Sequence, residues 1–214
     1  MRKIFYQIRK CQREDCSLRY PVLIGDARSE DCPRCRGRTE IVLERGIEEE
    51  QKPAGVVGNE FQLEALLDNI RSAWNVGSMF RTADGMGMRG LYLCGITPTP
   101  ENPRVAKTAL GAEAAVPWTY HPDGVQLAET LKEKGASLWA LEEGPKASAL
   151  GFRRNPNVEK QVVLVVGNEI FGVDPGILEL CERIFYIPMR GIKRSLNAAV
   201  AFGIAAHILL AQSD

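Results

Sequence analysis

The chain is expected to fold as an α/β protein with a largely parallel sheet, preceded by a small cysteine-bearing module. Three observations point there. After residue 58, runs with strand character alternate with helical stripes, the pattern of a sheet with helices on its faces. One of the runs, QVVLVV at Gln161–Val166, is apolar enough for the middle of a parallel sheet, where both faces are buried. Four of the six cysteines fall between residues 11 and 35.

Those four are spaced Cys11-x4-Cys16 and Cys32-Pro-Arg-Cys35. Two short loops of this kind bring four thiolates to a tetrahedral zinc, and CPRCRG is a tight, glycine-terminated knuckle. The alternative is two unrelated thiol pairs. A redox Cys-x-x-Cys is expected at a helix start in a βαβ unit, whereas this segment is Arg-rich and reads as poor in strands. Residues 1–46 are therefore expected to form a zinc-ribbon-like module with structural Zn2+ on Cys11, Cys16, Cys32 and Cys35. The other two cysteines, Cys94 and Cys181, sit among apolar neighbours and read as core residues.

The chain as a whole balances 27 basic against 27 acidic residues, yet residues 1–46 carry 11 Lys/Arg against 7 Asp/Glu. That excess is an electrostatic handle for a polyanion or simply a solvated surface. Residues 47–58, acidic and then bearing Pro and Gly, read as a linker to a main domain at 59–214.

In the main domain FQLEALLDNI reads as a strand. Val76, Met79, Phe80, Ala83 and Gly87 then recur at helical spacing, and RGLYLCG is the next strand. Between these two lies GMGMRG, Gly85 to Gly90, which spells G-x-G-x-x-G. It closes a helix and opens a strand, the reverse of the order in which a dinucleotide-binding loop meets a helix N-terminus. It is read as a helix stop, with Gly85 or Gly87 left-handed and Gly90 opening the strand. Further on, LKEKG ends a helix, ASLWALE, QVVLVV and RIFYIPM are strands, and an Ala- and Gly-rich helix closes the chain.

Charges interrupt every apolar run near the N-terminus, and Asn197–Ala211 falls short of the roughly 20 residues that a membrane span needs. A cytoplasmic protein with no membrane partner is expected. His121 and His207 have neither metal spacing nor a nucleophile beside them and are assigned no role.

Ligands of parallel α/β sheets bind beyond the carboxyl ends of the strands. The segments there are DNIRSAWNVGSMFRTADGMG, VVGNEIFGVDP and IPMRGIKRSLNAAVAFGIAA. In this order they resemble the three motifs of the SpoU (TrmH-like) branch of the SPOUT RNA methyltransferases, over about residues 60–211. KTALGAEAAVPW also resembles the segment between the first two motifs.

The resemblance implies a deep C-terminal trefoil knot, S-adenosylmethionine as cofactor, RNA (tRNA or rRNA) as partner, transfer to a ribose 2′-hydroxyl, and a homodimer in which both protomers build the site. By carry-over Arg81 is the catalytic arginine, as base or as clamp, and Asn75 orients the site. Glu169 positions Arg81 or the substrate, and Ser195 and Asn197 are polar site residues. Gly167, Ile187 and Leu196 are implied as cofactor contacts. Asn75 and Ser195 also read as ordinary helix N-caps, which is compatible with those roles. Arg190, Lys193 and Arg194 stand just before the site, either as contacts for RNA phosphates or as a solvated loop cluster. The common G-N-E-G-x-G form is broken here by Ile170 and Phe171. A zinc-containing RNA-binding protein that keeps the knot without transfer is the alternative of another class.

Overall fold

The computed structural model describes residues 3–26, 30–48, 61–151 and 161–211. The chain divides into two compact units, Met1–Gly55 and Val56–Asp214.

The first unit is a three-stranded antiparallel sheet of β1 (Lys3–Cys11), β2 (Arg19–Leu23) and β3 (Thr39–Glu48), with β1 in the middle. The expectation of a strand-poor segment is thereby corrected. The strands escape a hydrophobicity reading because they have almost no core to face: among the described residues of the unit, only Arg9, Cys11 and Cys32 are buried. Arg9 keeps its charge satisfied at that depth through Thr39 and the Gln7 side chain. Of the linker expected at 47–58, Ile47 and Glu48 belong to β3, and 49–58 lie outside the described residues.

The second unit runs β4 (Gln62–Asp68), α1 (Ala73–Gly85), β5 (Gly90–Cys94), α2 (Pro103–Ala109), α3 (Ala112–Ala115), β6 (Trp118–His121), α4 (Gly124–Glu133), β7 (Ser137–Leu141), β8 (Ser148–Ala149), β9 (Gln161–Val166), α5 (Pro175–Leu180), β10 (Arg183–Tyr186) and α6 (Ala198–Ala211). Its seven strands lie in the order β6-β5-β4-β9-β7-β10-β8, and every pairing is parallel. The α/β class with a parallel sheet is the one expected.

Both faces are covered. From β9, Val162, Leu164 and Val166 enter one apolar cluster with Val76, Met79, Phe80 and Ala83 of α1 and Phe202 of α6. Val163 and Val165 enter a second cluster with Leu127 and Leu131 of α4 and Ile177 of α5. Each fully buried aliphatic side chain contributes roughly 1.5–3 kcal/mol of transfer free energy, so the alternation along β9 anchors helices on both sides of the sheet. Gly77 lets α1 and α2 touch, because a Cβ there would collide with the backbone at Val105 and with the Thr108 hydroxyl. The glycines of GMGMRG do structural work: Gly87 is left-handed at φ +66° behind α1, and Gly90 opens β5. No helix among the described residues is long and apolar enough to cross a membrane.

Parallel strands send all their carboxyl ends to one side. The segments leaving β4, β7, β9 and β10 emerge there.

Candidate active site and metal centre

β4 ends at Asp68, and the next residue, Asn69, turns the chain at φ +54°, a conformation that Asn tolerates better than most residues. Its Oδ1 accepts from Ile96 N–H, and the buried Thr97 hydroxyl accepts from Ile70 N–H while donating to the Leu67 carbonyl. Asp68, also buried, accepts from Asp174 N–H and from the Asn69 amide; burial pushes its carboxyl up against those hydrogen bonds. The strand end is thus held from three sides before α1 begins.

α1 is capped by Ser72, whose hydroxyl accepts from Asn75 N–H at 3.3 Å. Asn75 is therefore inside the first turn and is not the cap, which corrects that reading. Its side chain turns instead to Glu169, donating from Nδ2 to Oε1 at 2.9 Å. The same carboxylate accepts from Arg71 N–H at 2.9 Å and Ser72 N–H at 3.1 Å. Burial raises the Glu169 pKa, and these donors outweigh it, holding the group below the usual glutamate range.

The other end of the Asn75 amide accepts from Asn197 Nδ2 at 2.9 Å. Asn197 Oδ1 accepts from Ala199 and Val200 N–H, so Asn197 caps α6 and Ser195 does not. A single chain of hydrogen bonds, Glu169 to Asn75 to Asn197, joins all three sequence segments.

Beside it opens a cavity of about 420 Å³. Gly167, Glu169, Ile187, Ser195, Leu196 and Asn197 line it, six of the residues expected at the site. Leu141, Val166, Met189 and Ala201 add apolar wall, and Glu142, Glu143 and Arg194 add charge. A small cavity with apolar walls and a few converging polar groups is the form that a nucleoside-sized ligand takes.

Gly167 is required for a reason other than ligand approach. A Cβ there would sit inside the backbone of Gly172 and Val173, because the 167–173 loop folds on itself through paired hydrogen bonds of 2.9 Å between Asn168 and Gly172. Asn168 Oδ1 also accepts from Ile170 and Phe171 N–H, and its Nδ2 donates to the Asn69 carbonyl. The two residues that break the common motif form are accommodated in this turn. Glu142, which the sequence reading passed over, accepts from Val173 N–H at 3.0 Å and ties β7 to the loop. Its signal was its place directly after an apolar strand.

Arg81 is not brought to this cavity. It is exposed and lines a separate groove with Ser78, Thr82, Lys107 and Leu110. Six residues along α1 from Asn75 amount to about 9 Å of rise and about 120° of rotation, which turns the guanidinium away from the Glu169 side.

In the first unit the four thiols converge: all Sγ atoms lie within 4.8 Å of one another, with Cys11–Cys35 at 3.5 Å and Cys16–Cys32 at 3.7 Å. A disulfide needs about 2.0 Å, and a tetrahedral zinc with bonds of about 2.3 Å separates its sulfurs by roughly 3.8 Å. The donor set and the spacing both fit zinc. Two matching turns present the sulfurs, Ser17 N–H to the Arg13 carbonyl and Arg36 N–H to the Cys32 carbonyl, and the closing residues Ser17 and Arg36 are both left-handed. The wide first spacing is absorbed because Cys11 is the last residue of β1, outside its turn. Burial raises the Cys32 thiol, but N–H groups of Cys35 and Arg34 aimed at the sulfur bring it to about 7.

Residues 62–207 match the SpoU rRNA Methylase family. The chain belongs to this family. Among SpoU relatives, it is 31% identical over 146 residues to the 23S rRNA (guanosine(2553)-2′-O)-methyltransferase RlmP of Bacillus subtilis, covering 67% of this chain and 56% of that one. It is 30% identical over 142 residues to the tRNA (guanosine(18)-2′-O)-methyltransferase of Thermus thermophilus, covering 66% and 71%. A solved structure, an AdoMet-bound rRNA methyltransferase from Sinorhizobium meliloti, superposes with a TM-score of 0.62 at 27% identity, covering 69% and 55%. The chain spans little more than half the length of several such relatives.

Proposed function

We propose that this SpoU protein is an S-adenosylmethionine-dependent RNA methyltransferase acting on a ribose 2′-hydroxyl of tRNA or rRNA. The observation that carries the reading is the hydrogen-bonded chain from Glu169 through Asn75 to Asn197 beside the 420 Å³ cavity. The likeness to 2′-O-methyltransferases and to an AdoMet-bound rRNA methyltransferase structure supports the cofactor and the acceptor.

When bound, S-adenosylmethionine supplies an activated methyl group on a sulfonium. Ile187 and Leu196 provide the apolar walls for its adenine, and the 167–173 loop, reached from both β9 and β7, provides backbone groups for its polar parts. Ser195 and Asn197 present a hydroxyl and an amide to the incoming ribose. Glu169 and Asn75 act by position: they lock the start of α1 to the two cofactor loops, and an orientation held to a fraction of an ångström accounts for much of a transfer rate.

Arg81 requires a second copy of the chain. In one protomer it lines a different groove, so in our reading a homodimer brings it to its partner's cavity. A guanidinium with a pKa above about 12 is a poor base, and Arg81 there acts as a clamp on the phosphate beside the target ribose. We assign structural Zn2+ to Cys11, Cys16, Cys32 and Cys35, and to the exposed Arg34, Arg36 and Arg38 beside them a share in capturing RNA.

Calorimetric titration with S-adenosylmethionine tests the site. Wild type and Arg81→Ala bind equally, and Ser195→Trp, which fills the cavity from an exposed position, abolishes binding. Undiminished binding by folded Ser195→Trp would place the cofactor elsewhere.

A further inference from the structure

The loop that departs from the common motif form displays an apolar pair at the mouth of the cavity. Ile170 lines the cavity and is 64% exposed, and Phe171, its neighbour, is 84% exposed. A phenylalanine so open to water on an ordinary flexible loop would fold back on its neighbours. This one is held out: Asn168 Oδ1 takes the N–H groups of both Ile170 and Phe171, Asn168 and Gly172 close the turn behind them, and Gly172 adopts φ +75°. The backbone that carries the ring is therefore ordered, which lowers the entropy cost of a contact made there.

The cavity beside it is lined by charges of both signs, Arg194 with Glu142, Glu143 and Glu169. Arg190 and Lys193 are exposed on the segment between Met189 and Arg194, both of which line the same cavity, and Ile192 between them is fully exposed. An exposed aromatic ring next to a cavity that Arg194 lines, with Arg190 and Lys193 exposed on the Arg194 segment, matches an unpaired nucleobase, with its π-face, and the phosphates on either side of it.

We infer that Phe171 is a stacking platform for a base of the RNA strand at or next to the methylated nucleotide, with Arg190, Lys193 and Arg194 holding the adjoining phosphates. The inference rests on the reading of the chain as an RNA methyltransferase. It adds a substrate-positioning residue at the position where the motif is irregular, and it implies that the target is single-stranded or extruded at the site.

The test is equilibrium binding of the full-length protein to a single-stranded oligoribonucleotide carrying 2-aminopurine, whose emission falls on stacking, over a range of salt concentrations. Phe171→Ala weakens binding on the order of five- to a hundredfold and removes the quenching, with the salt slope unchanged. Phe171→Trp restores both, and Phe171→Leu, apolar but without a π-face, does not. The combined Arg190→Ala, Lys193→Ala, Arg194→Ala variant flattens the salt slope instead. Binding by Phe171→Ala within about twofold of wild type, full rescue by leucine, or dissociation of a dimer in sedimentation of Phe171→Ala would each overturn the inference, the last by making Phe171 a contact between copies. Titration of the same wild-type sample with S-adenosylmethionine keeps the two readings apart: failure there removes the enzyme assignment and leaves the stacking result standing.

Discussion

Asn75 serves two segments at once, as donor to Glu169 and acceptor from Asn197, so its removal unties both. Glu169 sets the pH limits of that arrangement. Its folded pKa lies below the ordinary value of 4.5, so the stabilisation it provides is complete above pH 4.5 and is lost only as pH falls through the lowered folded value. S-adenosylmethionine affinity measured across a pH series is expected to owe nothing to this group between neutrality and pH 4.5 and to fall below that, and Glu169→Gln is expected to lose the acid limb. An acid limb of the same size in Glu169→Gln would assign it to another group. Few of these pairings were readable in the sequence. Asn75 and Glu169 are 94 residues apart and Asn197 and Asn75 are 122 apart, beyond any local periodicity, so local propensity assigned Asn75 and Ser195 to caps that Ser72 and Asn197 fill. The motif resemblance supplied the residues, and the structure supplied their partners.

At the level of elements, what was legible followed burial. The α1 stripe and the Val-rich β9 stood out because they face packed clusters, and a buried face imposes its period on the sequence. Short pieces such as α3, with four residues, and β8, with two, leave no room for a period. The strands of the first unit were missed because their stability does not rest on a core. With only Arg9, Cys11 and Cys32 buried there among the described residues, the proposed zinc on the four cysteines would be the main internal cross-link of the sheet. Binding free energies of roughly 10–16 kcal/mol for structural zinc in small folds exceed anything three buried residues provide. Chelation at neutral pH, followed by amide NMR, is accordingly expected to collapse the dispersion of residues 3–48 while the resonances of β4, β9 and β7 stay put. Retention of the first unit's dispersion in metal-free protein would refute the zinc assignment.

At the scale of the whole molecule, the parallel sheet determines where chemistry is possible. Every strand delivers its carboxyl end to the same side, and the three motifs, remote in sequence, become neighbours at the ends of β4, β9 and β10. The class of fold and the side of the sheet were legible for that reason. The separation of Arg81 from the cavity was not, because Arg81 follows Asn75 by six residues in sequence and still lines a different groove. Transfer to a ribose hydroxyl is read from the product itself. Purified protein is incubated with S-adenosylmethionine labelled in the methyl group and with unfractionated tRNA and rRNA, the RNA is digested to nucleosides, and these are separated by chromatography and mass spectrometry. Label is expected in a 2′-O-methylnucleoside, absent with Ser195→Trp and with Asn75→Ala reduced on the order of a hundredfold. Label on a base, or no label in any RNA from protein that binds S-adenosylmethionine, would contradict it.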